Sequence, residues 1–353
     1  MKKATAQKQQ VKTFDSQFYL VFIPFLIFIF IIVTCFPYWF TRPNFSGIDF
    51  TDKGEIGDTI GGITGPFIAI AGAVLTFFAF WVQFKANEQQ KLDLKTERFE
   101  NKFYELLSLH KSNVSEAVIG NLDGRRSFTA MFYELRLSYH VVQHIKEKKL
   151  KSNKLRKEIK KIKEIDVLEF AYMIFFYGIG PNSEKHFEPG LTKIHKELFV
   201  DIKSFIEKEI HKPYERFLKK RPDAKYYMFK KIDTEVELYF YPFDGHVSKL
   251  SHYYRHLFQT ARFVVDQEFL DHHQKYSYLK TLRAQLSNFE QLLLYYNAAS
   301  WFEDQWKDLF IEYRMIKNIP IPLADFGTPP EIRYKTEIEQ YQAKGIKLFE
   351  WNK

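Results

Sequence analysis

The chain has 353 residues, a net charge of +9 and an apolar fraction of 46%, room for one large domain or two ordinary ones. One cysteine, Cys35, excludes an intrachain disulfide framework and a cysteine-based zinc site, and the negative mean hydropathy excludes a polytopic transporter. The positive balance suits anionic lipid headgroups or nucleic acid without selecting between them.

In chain order, residues 1–16 form a basic tail with Lys2, Lys3, Lys8 and Lys12. Residues 17–40, within which "FYLVFIPFLIFIFIIVTCFPYWF" holds no charged residue, predict a first transmembrane helix. The apolar stretch is too long for a cleaved signal peptide, no small-residue cleavage pattern follows it, and Tyr38, Trp39 and Phe40 resemble an interfacial aromatic belt. A short loop, 41–58, carries Asp49, Asp52, Glu55 and Asp58 against Arg42 and Lys53.

Residues 59–84 predict a second transmembrane helix, "GGITGPFIAIAGAVLTFFAFWVQF" at its heart. Lys85, Lys91, Lys95 and Arg98 follow it, so the positive-inside rule puts both chain ends in the cytoplasm. Gly57, Gly61, Gly65, Ala69 and Ala73 recur every fourth residue and make one smooth helical ridge. In lipid such a ridge lets backbones approach closely, either against residues 17–40 of the same chain or between copies in a homo-oligomer, up to a pore. Neither span holds an Asp, Glu, Lys, Arg or His, which argues against a transporter.

Residues 85–118 read as the second span continuing into an amphipathic stalk, with Leu92, Phe99 and Leu106 seven apart and Phe103 and His110 joining them. Residues 119–318 form the expected cytoplasmic helical domain. It opens on the turn "NLDGRR" and a helix capped by Ser127. The basic run 146–165 is a solvated segment, or a contact for nucleic acid, a phage component or the inner leaflet. "VLEFAYMIFFYGIG" (167–180) predicts a buried helix ended by Gly178 and Gly180, and "YYMFKKIDTEVELYFYPFDGH" is the one stretch that admits a hairpin. Two long helices follow, at about 247–270 and 275–300, and 319–353 reads as a Pro-rich, charged tail. The fold class is therefore mostly α: two N-terminal transmembrane helices, a stalk, and a cytoplasmic all-α domain with room for minor β.

The densest polar cluster is "GHVSKLSHYYRHLFQTARFVVD", where His252, Arg255, Gln259, Arg262 and Asp266 share a helical face. His252 and His256 have the spacing of a helical metal pair, with His246, His272 or His273 as third ligand. No His-Glu-x-x-His pattern occurs and helical His pairs more often hold no ion, so no metal and no cofactor is expected. Arg283, Ser287, Glu290 and Asn297 fall on one stripe, which either fixes helix register or binds an anion. Phosphate-binding glycine loops and the G-x-S-x-G elbow are missing. So is the Arg-then-His motif of the helical ribonucleases, because no arginine is followed by a His after four to six residues.

Four stretches in order, "GGITGPFIAIAGAVLTFFAFWVQFKANEQQ", "RFENKFYELLSLHKSNV", "GHVSKLSHYYRHLFQT" and "LRAQLSNFEQLLLYYN", resemble the phage abortive infection proteins of the AbiC-like type, from about Gly57 to Asn318. The resemblance implies a bacterial inner-membrane protein linked to phage resistance and brings no established catalytic mechanism. It marks Gly245, His246, His252, Tyr254, Arg255, His256, Arg283, Gln285, Ser287, Asn288, Glu290 and Asn297 as a shared surface. Three readings stand: a membrane-anchored effector; a tethered ribonuclease or nucleotide-processing enzyme using His252, Arg255, His256, Arg283 and Glu290; and a non-toxic sensor or scaffold.

Overall fold

The computed structural model describes residue 20 and most positions of 24–38, then 55–152, 155–181, 183, 185, 192–220, 226–229, 234–237 and 240–350. The tail 1–16 and most of the loop 41–58 lie outside the described residues. The first expected span falls partly outside them, and its described positions between 20 and 38 are helical. One helix among the described residues is long and apolar enough to cross a membrane. The chain is mostly α, and it divides into two compact units, 1–98 and 99–353.

Helix α1, Glu55–Ser115, runs for 61 residues, and Pro66 lies inside it near the start. Its apolar stretch 61–84 is about 36 Å long at 1.5 Å per residue, enough for a hydrocarbon core of about 30 Å. That stretch is almost wholly exposed, with Phe77 66% and Phe80 68% accessible. Exposed apolar surface of this extent marks a site of contact, with a membrane or with a partner. The ridge is open too, since a Cβ added at Gly57, Gly61 or Gly65 would meet nothing within 4 Å among the described residues.

In the second unit, Phe99, Phe103 and His110 of α1 are buried, whereas Leu106 is half-buried. Leu92 of the expected seven-residue stripe is 51% exposed. A minimal antiparallel hairpin follows, β1 Val118–Ile119 and β2 Leu122–Asp123, where the sequence shows only a turn. Helix α2, Arg125–Ser152, begins two residues ahead of the expected cap. Ser127 is buried and donates to the carbonyls of Ala117 (2.7 Å) and Leu122 (3.0 Å), so it ties the helix to the hairpin instead of capping it.

α2 is the central helix and buries two faces. Phe128, Phe132 and Leu135 join the main core, while Val141, Val142 and Ile145 join a second cluster with Ile202 and Ile206. Helix α3, Arg156–Glu164, takes up part of the basic run, and α4, Val167–Tyr177, is the expected buried helix. Asp166 caps α4 by accepting from the amides of Leu168 and Glu169. Some cations of the run are committed: Lys149 pairs with Asp201 at 2.7 Å, and Lys146 donates to the Ile165 carbonyl at 2.6 Å. Helices α5, Lys193–Phe205, and α6, Lys212–Lys220, are joined by a π-helical turn, and the hairpin β3 Tyr226–Phe229 with β4 Thr234–Glu237 stands where the alternation admits one.

Helices α7, Val247–Val265, α8, His272–Gln285, and α9, Asn288–Asn297, replace the two long helices expected. The break falls at Leu286, where Ser287 and Glu290 form a reciprocal capping box that starts a new helix. A π-helical turn, Ala298–Phe302, leads to α10, Glu303–Ile311. Residues from 319 onward, set apart in the sequence as a tail, close this core: Ile319, Phe326, Tyr334 and Phe349 are buried, and Phe326 stacks on Tyr296 at 4.1 Å. Short helices α11, Pro330–Arg333, and α12, Lys335–Gln342, lie within it.

α4 and the start of α7 meet where two glycines allow contact between main chains. Gly178 (φ 76°) and Gly245 (φ 87°) both need the left-handed region, and a Cβ on Gly245 would lie 2.6 Å from the Tyr177 carbonyl carbon. The strands of this junction are tied by Ile179 N–H to Phe243 O (3.1 Å) and His246 N–H to Phe176 O (2.8 Å). Gly245→Ala is expected to cost roughly 3 kcal/mol or more in thermal unfolding, from backbone strain plus overpacking. Gly345→Ala is the matched control, with φ 69° and open space around it, and should cost only about 1–2 kcal/mol. Equal losses for the two variants would refute the close-contact account.

Candidate functional site

Helix α7 brings together part of the polar cluster marked in the sequence. His252, Arg255, His256 and Gln259 line a groove of about 500 Å3. Lys249 joins them from the same helix, Asn113 and Glu116 come from the end of α1 and the residue after it, and Phe128 and Met131 of α2 form the apolar wall. Glu116 accepts from the Ser112 hydroxyl at 3.0 Å. Arg262 and Asp266 do not line this groove.

Beside the groove, His110 of α1 is 1% exposed and its ring stacks near that of His256, centroids 6.3 Å apart. No ring nitrogen of either imidazole has a hydrogen-bond partner among the described residues. Burial first, then the charges of His256 and Arg125, lower His110 to a pKa of about 4. Burial also lowers His256. Both rings are therefore neutral at pH 7, each with one donor and one acceptor nitrogen. The Glu290 carboxylate lies 3.9 Å from the His110 ring, too far for a hydrogen bond.

Glu290 itself is fully buried and does not line the groove. It accepts from the Tyr253 hydroxyl (2.9 Å) and the Ser287 amide (2.8 Å), and Arg125 stands 4.0 Å away. Arg125 also donates to the Gln285 carbonyl at 3.0 Å, and Asn288 is exposed at the first turn of α9. Arg283 is buried and donates to the Arg314 carbonyl at 2.8 Å, holding the chain after α10. Arg283 lies on α8, so its stripe with Ser287, Glu290 and Asn297 is split by the break at Leu286. His246 pairs with buried Glu134 at 2.8 Å, and Asn297 donates to the Tyr172 hydroxyl at 2.8 Å.

Most of these elements fall in one segment. Residues 245–323 match the family model described as "Putative phage abortive infection protein". The matched segment runs from Gly245 through α7, α8, α9, the π-helical turn and α10 to Leu323. It is narrower than the likeness read from the sequence, which began near Gly57. Comparison with curated proteins and with solved structures gives no match.

The structure adds groove residues that sequence reasoning did not single out as site candidates: Asn113, Glu116 and Lys249, with His110 behind them. Among the described residues no group of three or more His, Cys, Asp or Glu is placed to hold a metal ion. What the groove offers is a guanidinium, an ammonium and the exposed His252 beside the Glu116 carboxylate, a setting for a polar ligand. The buried imidazoles also set an acid limit. His110 titrates near 6.5 when unfolded and about 4 when folded, so its contribution is complete above about pH 6.5 and is lost as pH falls toward 4. The gap corresponds to on the order of 3 kcal/mol. Thermal unfolding of His110→Leu is expected to lose less stability between pH 7 and pH 5 than the parent does, and an unchanged pH slope would remove His110 from this role.

Proposed function

We propose that this protein is a membrane-anchored antiphage protein of the abortive-infection type, resident in the bacterial cell membrane with both termini in the cytoplasm. Residues 17–40 and 59–84 cross the bilayer, the C-terminal helical unit responds to infection, and assembled spans impair the membrane. The observation that carries the reading is the family match over 245–323 on a chain whose α1 exposes an uninterrupted apolar stretch at 61–84. The open Gly57, Gly61 and Gly65 ridge supports assembly between copies, because small residues allow close helix approach where lipid supplies no hydrophobic drive.

Gly61→Leu with Gly65→Leu is expected to leave the protein in carbonate-washed membranes and to cut protection against plaque formation by about tenfold or more. Full protection by that variant would reduce the spans to an anchor. A second reading, a tethered enzyme working from the groove of His252, Arg255 and His256, is favoured by the exposed His252 and Arg255 in one lining. Membrane potential and total RNA followed in one infected culture separate the two. Depolarisation before lysis with intact RNA supports the membrane effector, whereas fragmented RNA with the potential held supports the enzyme.

A further inference from the structure

α7 has a second lined face. Ser251, Tyr254 and Phe258, at helical spacing, open onto a cavity of about 400 Å3, within the range of roughly 300–1,000 Å3 typical of small-molecule sites. Its walls are aromatic: Phe176 and Tyr177 from α4, Phe258 from α7, Trp301 and Phe302 from the π-helical turn, and Trp306 from α10. The rings are held rigidly. Trp301 meets Tyr172 edge-to-face at 4.9 Å and Phe176 at 5.5 Å, and Phe258 meets Trp306 at 5.2 Å. A π-helical turn is a rare backbone form that recurs at functional sites, and here it carries two of the walls.

The polar lining is as informative as the aromatic one. Asn297 and Tyr254 are both buried, Asn297 donates to the Tyr172 hydroxyl at 2.8 Å, and Tyr254 neighbours that same hydroxyl. Burial and neighbouring Tyr172 push the Tyr254 phenol well above its ordinary range, so it remains a neutral donor. Gln305 and Arg255 are exposed side chains of the same lining, and Arg255 also belongs to the polar groove. An acyl chain would leave these polar groups without partners, at a cost no aromatic wall repays. A planar heteroaromatic ring with polar edges and an anionic tail satisfies every part of the lining.

We propose that this cavity is a nucleotide-binding site. The base stacks among the aromatic side chains, its edge meets Tyr254 and Asn297, and its phosphate reaches Arg255 and the cationic groove beyond. This inference goes beyond the membrane reading and does not depend on it.

The test uses the full-length chain in detergent micelles, titrated with ATP, GTP, CTP and UTP, with the matching nucleosides and with inorganic phosphate. Calorimetry and tryptophan fluorescence give the readout. Saturable binding of at least one nucleotide is expected, about tenfold weaker for its nucleoside and undetectable for phosphate alone. Arg255→Ala and Trp301→Ala should each weaken it by about tenfold or more. Should Trp301→Ala fail to fold, Phe302→Ala, at a 37% exposed position, carries the stacking test. Absence of binding up to millimolar nucleotide, binding of phosphate as tight as of nucleotide, or indifference to the Arg255 and aromatic substitutions would each overturn the proposal. Plaque protection is not a readout here, so failure of this site leaves the defence reading to its own test.

Discussion

The carboxylate of Glu134, fully buried on α2, is the constraint on which the second unit depends. One oxygen accepts from the Phe243 amide at 2.7 Å and the other from the His246 ring at 2.8 Å. A buried charge without such partners would cost several kcal/mol, so the chain entering α7 must arrive in one place and one orientation. Phe243 adopts φ 72° to make this connection, an uncommon backbone conformation for a non-glycine residue that the surrounding contacts have to hold. The Gly178–Gly245 crossing then completes the junction between α4 and α7. The position of α7 is thus set by main-chain hydrogen bonds and one carboxylate, and its lateral faces are left to line cavities.

That division explains why the segment matching the family model contains two kinds of polar side chain in the same few turns. His246, Arg283, Glu290 and Asn297 each hold another element: α2, the chain after α10, Tyr253 of α7 and Tyr172. Among the described residues His252, Arg255, His256 and Gln259 make no comparable side-chain tie, and all four line the groove. Residue type alone does not separate the two groups, since each contains His and Arg. Burial separates them. His246, Arg283, Glu290 and Asn297 are buried and fix neighbours, whereas His252, Arg255 and Gln259 stay exposed along α7.

Much of the architecture was legible because it rests on local signals. The apolar run at 61–84, the core helix bounded by Asp166 and Gly178, and the cluster on α7 follow from period and caps. The break between α8 and α9 is written in Ser287-Asn288-Phe289-Glu290, a capping box inside the stripe that by spacing either fixes helix register or binds an anion. What stayed illegible depends on distant partners. Glu134 meets His246 across more than a hundred residues, and no local pattern marks that pair. The residues after Ile319 look like a tail by composition, yet Phe326 and Phe349 complete a core whose other wall is α9 and α10. His110 was visible as a polar interruption in an apolar stripe, but its proximity to His256 belongs to the fold alone.

The rigidity of the α7 junction also constrains how any ligand could act. A ligand shifts a conformational equilibrium only by the difference in its affinity for the two states. Tyr172, Asn297 and the Glu134 junction are locked by buried hydrogen bonds, whose disruption is costly, so they are poor places to store an alternative state. Arg255, Phe302 and Gln305 are exposed, touch the cavity linings and carry no such ties. Differential contacts are therefore concentrated at the rim, where α7 and the π-helical turn face each other. Arg255 lines both the aromatic cavity and the polar groove, so it is the charged side chain that the two share.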